Sequence, residues 1–150
     1  MRLVFLDSGP LWTISNPLSK PGTHQCWEWA RAMLAAGARI FVPEIADYEV
    51  RRELVRRGAT AGLARLDRVV DALDFGPINR DVMLKAGELW AASRNSGRPT
   101  SSPDALDGDC ILAATALLAA APGDVLTVAT LNVGHLAQFV DARPCEKIAP

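Results

Sequence analysis

Short apolar runs recur along this chain, each parted from the next by a longer stretch of helical pattern, and that alternation limits the folds open to it most sharply. Leu3–Leu6 is a short apolar run closed by Asp-Ser-Gly-Pro and reads as a buried strand. Pro10 suits the opening of a short helix, because its missing N–H is not needed in the first turn. A polar loop through Pro17 and Pro21-Gly22 leads to a helix over about Thr23–Ala36, ended by Gly37. Arg39–Val42 is a second strand, and Pro43 starts a helix running to about Arg57. Ala61–Leu73 is helical, Asp74–Ile78 is a weak third strand, and Asn79 caps a helix to about Arg94. Residues 95–104 are loop-like; a very apolar helix then runs to about Ala121. The strand Val125–Ala129, the segment Leu131–Phe139 and a short last strand near Lys147 complete the chain. Strands joined through helices pair in parallel by crossovers, so the expected class is an α/β sandwich. Such sheets collect ligands at the carboxyl ends of their strands, where strand order reverses.

Composition narrows the functions. The 150 residues suit one domain, 49% hydrophobic and 22% charged, which is globular composition. Sixteen Lys+Arg against 17 Asp+Glu give a net charge of −1, which excludes a uniformly cationic nucleic-acid binder. Cys26, Cys110 and Cys145 are widely spaced with no C-x-x-C pair, against a zinc site or a disulfide framework and in favour of a reducing compartment. Only four apolar residues precede Asp7, too few for a signal-peptide core. The longest uncharged stretch, Cys110 to Gly123, falls short of the ~20 residues that cross a bilayer. A soluble, cytoplasmic protein without a membrane partner is expected.

Acids fall where such a sheet places chemistry. Asp7 directly follows the first strand, although it could equally cap the helix after it. Glu49 lies between Ile45 and Ala46/Val50 on the helical wheel and so interrupts an apolar face, whereas Glu44 and Asp47 are first-turn acids favoured by the helix dipole. An acid on a packing face needs a compensating charge, either a cation or an arginine such as Arg52 or Arg56. Asp109 shares its helix face with Ala113, Ala116 and Ala120, a small-residue stripe that would carry it inward. Asp107 points elsewhere; it or Asp104 reads as a helix cap or an outer carboxylate, with Gly108 letting the chain turn. Asn132 follows the strand Val125–Ala129 and either orients a water near a cation or caps a loop.

No competing site is visible: there is no G-x-G-x-x-G, phosphate-binding loop or G-x-S-x-G, and Gly9 stands where a D-x-D phosphatase needs its second Asp. His24 and His135 lack metal-ligand spacing. Carboxylates without soft ligands select a hard divalent ion, Mg2+ or Mn2+.

Taken in order, these motifs resemble the PIN-domain family, in particular its small bacterial VapC-like toxins. LVFLDSGPL is similar to the opening strand with the family's first Asp, here Asp7. VPEIADYEVRREL resembles the strand and helix that carry its Glu, which register places at Glu49. DCILAATALL resembles the D-x-x-I-A-A-x-A signature with Asp109 as its acid, and LTVATLNVGHL the T-x-N/D segment. The resemblance implies a Rossmann-like three-layer sandwich with a central, mainly parallel sheet of four to five strands. It further implies metal-dependent hydrolysis of RNA to a 5′-phosphate and a 3′-hydroxyl, with Asp7, Glu49 and Asp109 as the carboxylate triad. An antitoxin protein and a homodimer are the partners it implies. Asn132 stands where many members carry Asp, Leu131 where a basic residue is common, and Leu136 where Phe is common.

Three converging carboxylates repel one another, and a divalent ion would relieve that while activating a water. RNA needs cations nearby. Arg51, Arg52 and Arg56, with Arg57, Arg65 and Arg68, outnumber Glu53 and Asp67 and could hold a phosphate backbone, or else form a solvated, salt-bridged face. Arg94 and Arg98 are further candidates. Trp12, near Asp7, could stack on a base, whereas Trp27, Trp29 and Trp90 read as core. The alternative to an active ribonuclease is a non-catalytic RNA-binding or protein-interaction module on the same fold, kept open by the neutral Asn132.

Overall fold

The computed structural model describes residues 1–16, 23–97 and 103–150, without the side chains of residues 23, 24 and 103–105. The polar loop expected through Pro17 and Pro21-Gly22, Arg98, and the side chains of His24 and Asp104 lie outside the described residues. The elements run β1 (Arg2–Leu6), α1 (Ser8–Ser15), α2 (Thr23–Ala35), β2 (Arg39–Pro43), α3 (Glu44–Arg56), α4 (Thr60–Ala72) and β3 (Asp74–Gly76). Then follow α5 (Arg80–Asn95), α6 (Pro103–Ala119), β4 (Val125–Ala129), α7 (Val133–Leu136), β5 (Ala142–Arg143) and a 3-10 turn at Cys145–Lys147.

The five strands form one sheet in the order β3-β2-β1-β4-β5, and every pairing is parallel. The period-2 alternation of strand side chains divides the core between the two faces. Val4, Leu6, Ile40 and Val42 point to one face, where they pack with Leu11, Met33, Val50, Leu54 and Leu66 from α1 to α4. Leu3, Phe5 and Phe41 point to the other and meet Leu112, Ala113 and Ala116 of α6. The rings of Phe5 and Phe41 stack there with centroids 4.5 Å apart. Helices cover both faces of a parallel sheet, as expected when its strands are buried on both sides.

α6 is apolar on nearly every side because it is clasped between sheet and helix: Leu106, Cys110 and Ala114 face Val82 and Ala86 of α5. Asp107 lies exposed within this helix and does not cap it, and Gly108 is helical, not a turn. The Asn79 side chain accepts a bond from the Val82 amide at 2.9 Å, which fixes the start of α5.

Further expectations change. The last strand is Ala142–Arg143, which pairs with Val128 and Ala129; Lys147 lies instead in the 3-10 turn that begins after Pro144. Within Leu131–Phe139 only Val133–Leu136 is helical. The third strand stops at Gly76, before Pro77, which has no amide to offer a ladder. Trp27 and Trp90 are 38% and 37% exposed, because the core stripes of their helices run through Ala30 and Met33 and through Val82 and Ala86. Trp29 packs against the core as expected, and its indole N–H donates to the Ile148 carbonyl at 2.9 Å. Among the described residues no helix is long and apolar enough to cross a membrane.

Candidate active site

Strand order reverses between β1 and β4, so a crevice opens beyond their carboxyl ends. Asp7 is the first residue past β1. It caps α1, with Oδ1 accepting the Ser8 amide at 2.8 Å, and its Oδ2 accepts the Thr130 hydroxyl at 2.7 Å. Thr130 is the first residue past β4 and is fully buried. Its Oγ1 also accepts the Asn132 amide at 3.0 Å, so one hydroxyl joins the two strand ends. The capping role and the site position weighed for Asp7 are therefore not alternatives; the same carboxylate occupies both.

Glu49 reaches the crevice from α3, flanked by buried Ala46 and Val50, and is half-buried. Burial raises its pKa first and the charge of Asp7 raises it further; the Ser8 hydroxyl bonds to it and Arg52 opposes the shift. Asp109 arrives from α6. Burial pushes its pKa up to about 6, with Asp7 adding most of the charge repulsion, His135 opposing it and Glu49 adding to it. The structure thus brings Asp7, Glu49 and Asp109 from three elements into mutual electrostatic contact.

Asp109 Oδ2 is buried and has no hydrogen-bond partner. His135 Nδ1 lies 3.7 Å from it, outside hydrogen-bond distance. A buried carboxylate oxygen left unpaired costs free energy on the order of 1–3 kcal/mol unless something supplies a counter-charge. All-oxygen acidic donors suit a hard divalent cation. Among the described residues, however, no three acidic, His or Cys side chains are drawn together closely enough to hold an ion as they stand. The donor set fits Mg2+ or Mn2+ in its chemistry and its unpaired oxygen, not in finished ligand spacing.

Gly108 has a use that sequence reasoning assigned to a turn. A Cβ there would sit 2.9 Å from Glu49 Oε1, so its absence lets α6 pass against the Glu49 carboxylate. A glycine inside a helix is a recognisable signal of close approach. Ser8 and His135 were also missed. Ser8 serves two acids through its amide and hydroxyl, a role hinted at only by its place beside Asp7. Asn132 is exposed at the crevice rim, and its side chain makes no capping bond to α7. Leu131, 67% exposed, lies over Gly9, where a Cβ would meet it at 2.9 Å.

The arginines separate. Arg51 holds Asp47 at 2.9 Å and Asp67 at 2.8 Å, joining α3 to α4. Arg56 and Arg57 both grip Glu53, at 2.6 and 2.8 Å, and together hold its carboxyl down at about 2. The salt-bridged face considered above is what Arg51 and Arg56 form. Arg52 lies 5.2 Å over the Tyr48 ring, one helical turn away and beside Glu49. Arg57 lies 5.3 Å over Trp12, whose indole packs against the core, and Arg94 lies 5.8 Å over Trp90. Arg65 donates to Asn16 Oδ1 at 3.0 Å, and with Arg31 and Arg68 it rims a cavity of about 380 Å³ floored by Ile14, Trp27 and Leu34.

No family model and no curated protein matches the chain. Solved structures do. The VapBC2 complex of Rickettsia felis, bound to a DNA fragment from its promoter, matches with a TM-score of 0.70 at 15% identity, covering 95% of this chain and 98% of that one. FitAcB from Neisseria gonorrhoeae matches at 0.70 and 18% identity, over 97% and 99% of the two chains. DNA-bound VapBC from Salmonella typhimurium matches at 0.62 and 16% identity, over 97% and 99%. At these identities the likeness is one of fold: the chain has the PIN fold of VapC chains, as its motifs led us to expect.

Proposed function

We propose that this chain is a Mg2+- or Mn2+-dependent endoribonuclease that hydrolyses RNA phosphodiesters, and that it is the toxin of a toxin–antitoxin pair. The observation that carries the reading is the buried, unpartnered oxygen of Asp109, a carboxylate that feels the charges of Asp7 and Glu49 at the strand-order reversal. Asp7, Glu49 and Asp109 would hold the ion. When bound it would supply a Lewis acid that eases deprotonation of an attacking water and offsets charge developing on the phosphate.

The chain's own residues do the rest. Ser8 and Thr130 immobilise the Asp7 carboxylate from two sides, so its orientation is set before any ligand arrives. Burial of Glu49 and Asp109 lowers the local dielectric, which strengthens their attraction for a cation. Asn132 offers an amide at the rim, suited to orienting a water. Arg52 acts electrostatically on Glu49 and would draw in the RNA backbone that the acids repel.

The antitoxin partner rests on the likeness to toxin–antitoxin complexes. The cavity rimmed by Arg31, Arg65 and Arg68 over Ile14, Trp27 and Leu34 suits an acidic, amphipathic segment of such a partner. Met83 and Leu84 on α5, 49% and 55% exposed, are apolar surface available to the expected homodimer.

The test is cleavage of a panel of structured RNAs with Mg2+ or Mn2+ by wild type, Asp7→Asn and Asp109→Asn. Cleavage by wild type, abolished by EDTA and reduced at least ~100-fold in both variants (about 2.7 kcal/mol of barrier), is expected. Equal cleavage by all three proteins, or none by wild type with either ion, would sink the assignment and favour the non-catalytic module.

A further inference from the structure

Cys26, in the opening turns of α2, and Cys145, at the head of the 3-10 turn after β5, come from distant parts of the chain and meet. Their thiols are in hydrogen-bonding contact, and the Thr13 hydroxyl is a second partner of Cys26. Cys145 is 3% exposed inside the core cluster on the α1–α4 face of the sheet, and Cys26 packs half-buried at its margin. The junction is also tied by Trp29, whose indole N–H reaches the Ile148 carbonyl at 2.9 Å. Cys110, by contrast, is enclosed between α5 and α6 in a separate cluster. The sequence spacing argues against a disulfide framework, and all three cysteines are free thiols; it is the return of the C-terminal segment to α2 that brings two of them together.

We propose that Cys26 and Cys145 form a redox pair that a hydroperoxide converts to a disulfide tethering the C-terminal segment to α2. The environment divides the roles. Cys26 has solvent access, lies in the first turns of a helix where a thiolate is favoured, and accepts a hydrogen bond from the Cys145 thiol, with the Thr13 side chain beside it. These contacts bring its pKa down to about 6, while burial and the neighbouring Cys26 push the Cys145 thiol up. The Cys26 thiolate attacks one peroxide oxygen, the O–O bond breaks, and Cys26 becomes a sulfenic acid as hydroxide leaves. Cys145 gives its proton to that hydroxide, forming water, and its sulfur attacks the Cys26 sulfur. The S–O bond breaks as the disulfide forms, and the OH group leaves as a second hydroxide. With that hydroxide neutralised by the proton first released from Cys26, the sum is two thiols and one hydrogen peroxide to one disulfide and two waters. α2 also carries Trp27, Arg31 and Leu34 of the arginine-rimmed cavity, so the tether fixes one wall of that surface.

The experiment treats the full-length reduced protein with hydrogen peroxide and maps its peptides without reduction. The expected results are a Cys26–Cys145 linked peptide, loss of two hydrogens in the intact mass, and a Tm raised by about 5–10 °C that dithiothreitol reverses. In Cys145→Ser, dimedone should trap a sulfenic acid on Cys26 that wild type passes through without accumulating. An oxidised wild type without the linked peptide, or equal dimedone labelling of Cys26 in wild type and Cys145→Ser, would overturn the proposal. The wild-type mapping stands even if the variant folds poorly, and neither readout depends on ribonuclease activity.

Discussion

A carboxylate whose own fold pushes its pKa to about 6 is held at a cost that its native contacts do not repay, and Asp109 is such a group. Its pKa is raised above the unfolded value near 3.8, so between about pH 4 and pH 6 the folded chain binds more protons than the unfolded one. Stability contributed by protonated Asp109 is full below pH 4 and is lost as pH rises through 6. Asp109→Asn should therefore raise Tm at pH 7 and flatten the fall in Tm between pH 4 and 6, measured by thermal melts without divalent ions. An unchanged slope would show that Asp109 is not strained. Gly108 makes a second residue-scale prediction. Gly108→Ala should leave Tm unchanged or raise it, since alanine favours the helix by up to about 1 kcal/mol and the clash is with the far end of a glutamate. Cleavage should nonetheless fall at least ~10-fold, because Glu49 Oε1 is displaced from the crevice. Asp7, Glu49 and Asp109 stand out as candidates from position and helical face, and the resemblance to the PIN-domain family joins them into one set. Ser8, His135 and the true use of Gly108 could not be read so, because their roles arise only where α1, α3, α6 and α7 meet.

At the scale of elements, the arginine-bearing pair α3 and α4 is largely self-neutralised. Arg51 clamps Asp47 and Asp67, and Glu53 takes both Arg56 and Arg57, whereas Arg52 stacks on Tyr48 beside the acids. Arg52→Ala should weaken RNA binding about 5- to 10-fold at low salt, read by fluorescence anisotropy. Arg51→Ala and Arg56→Ala should weaken it less than about 3-fold, since each guanidinium is already engaged by carboxylates of the same helical pair, and exposed ion pairs contribute only ~0–1 kcal/mol to stability. Equal losses in all three variants would contradict this ranking. Elements with a full core stripe or an apolar run were legible to within a residue or two: β1, β2, β4, α2, α3 and α5 begin and end near their expected bounds. β5 was misplaced because a two-residue strand has no pattern of its own and exists only through its pairing with β4. The exposure of Trp27 and Trp90 was missed for a related reason: helical spacing shows that a residue lies near a core stripe, not on which side of its edge.

At the scale of the whole molecule, topology turns a near-neutral chain into a segregated one. The order β3-β2-β1-β4-β5 places Asp7 and Thr130 side by side at the reversal, and the helices that cover the two faces deliver Glu49 from one and Asp109 from the other. A net charge of −1 thus conceals acids gathered at the strand-order reversal, Arg52 beside them, and Arg31, Arg65 and Arg68 around a separate cavity. The central claim is that this convergence holds one hard divalent cation. Isothermal titration of the metal-free protein with Mn2+ tests it without reliance on any RNA substrate. One site per chain is expected in wild type, weakened at least ~10-fold (about 1.4 kcal/mol) in each of Asp7→Asn, Glu49→Gln and Asp109→Asn. Absence of binding to wild type, or wild-type affinity in all three variants, would contradict the claim.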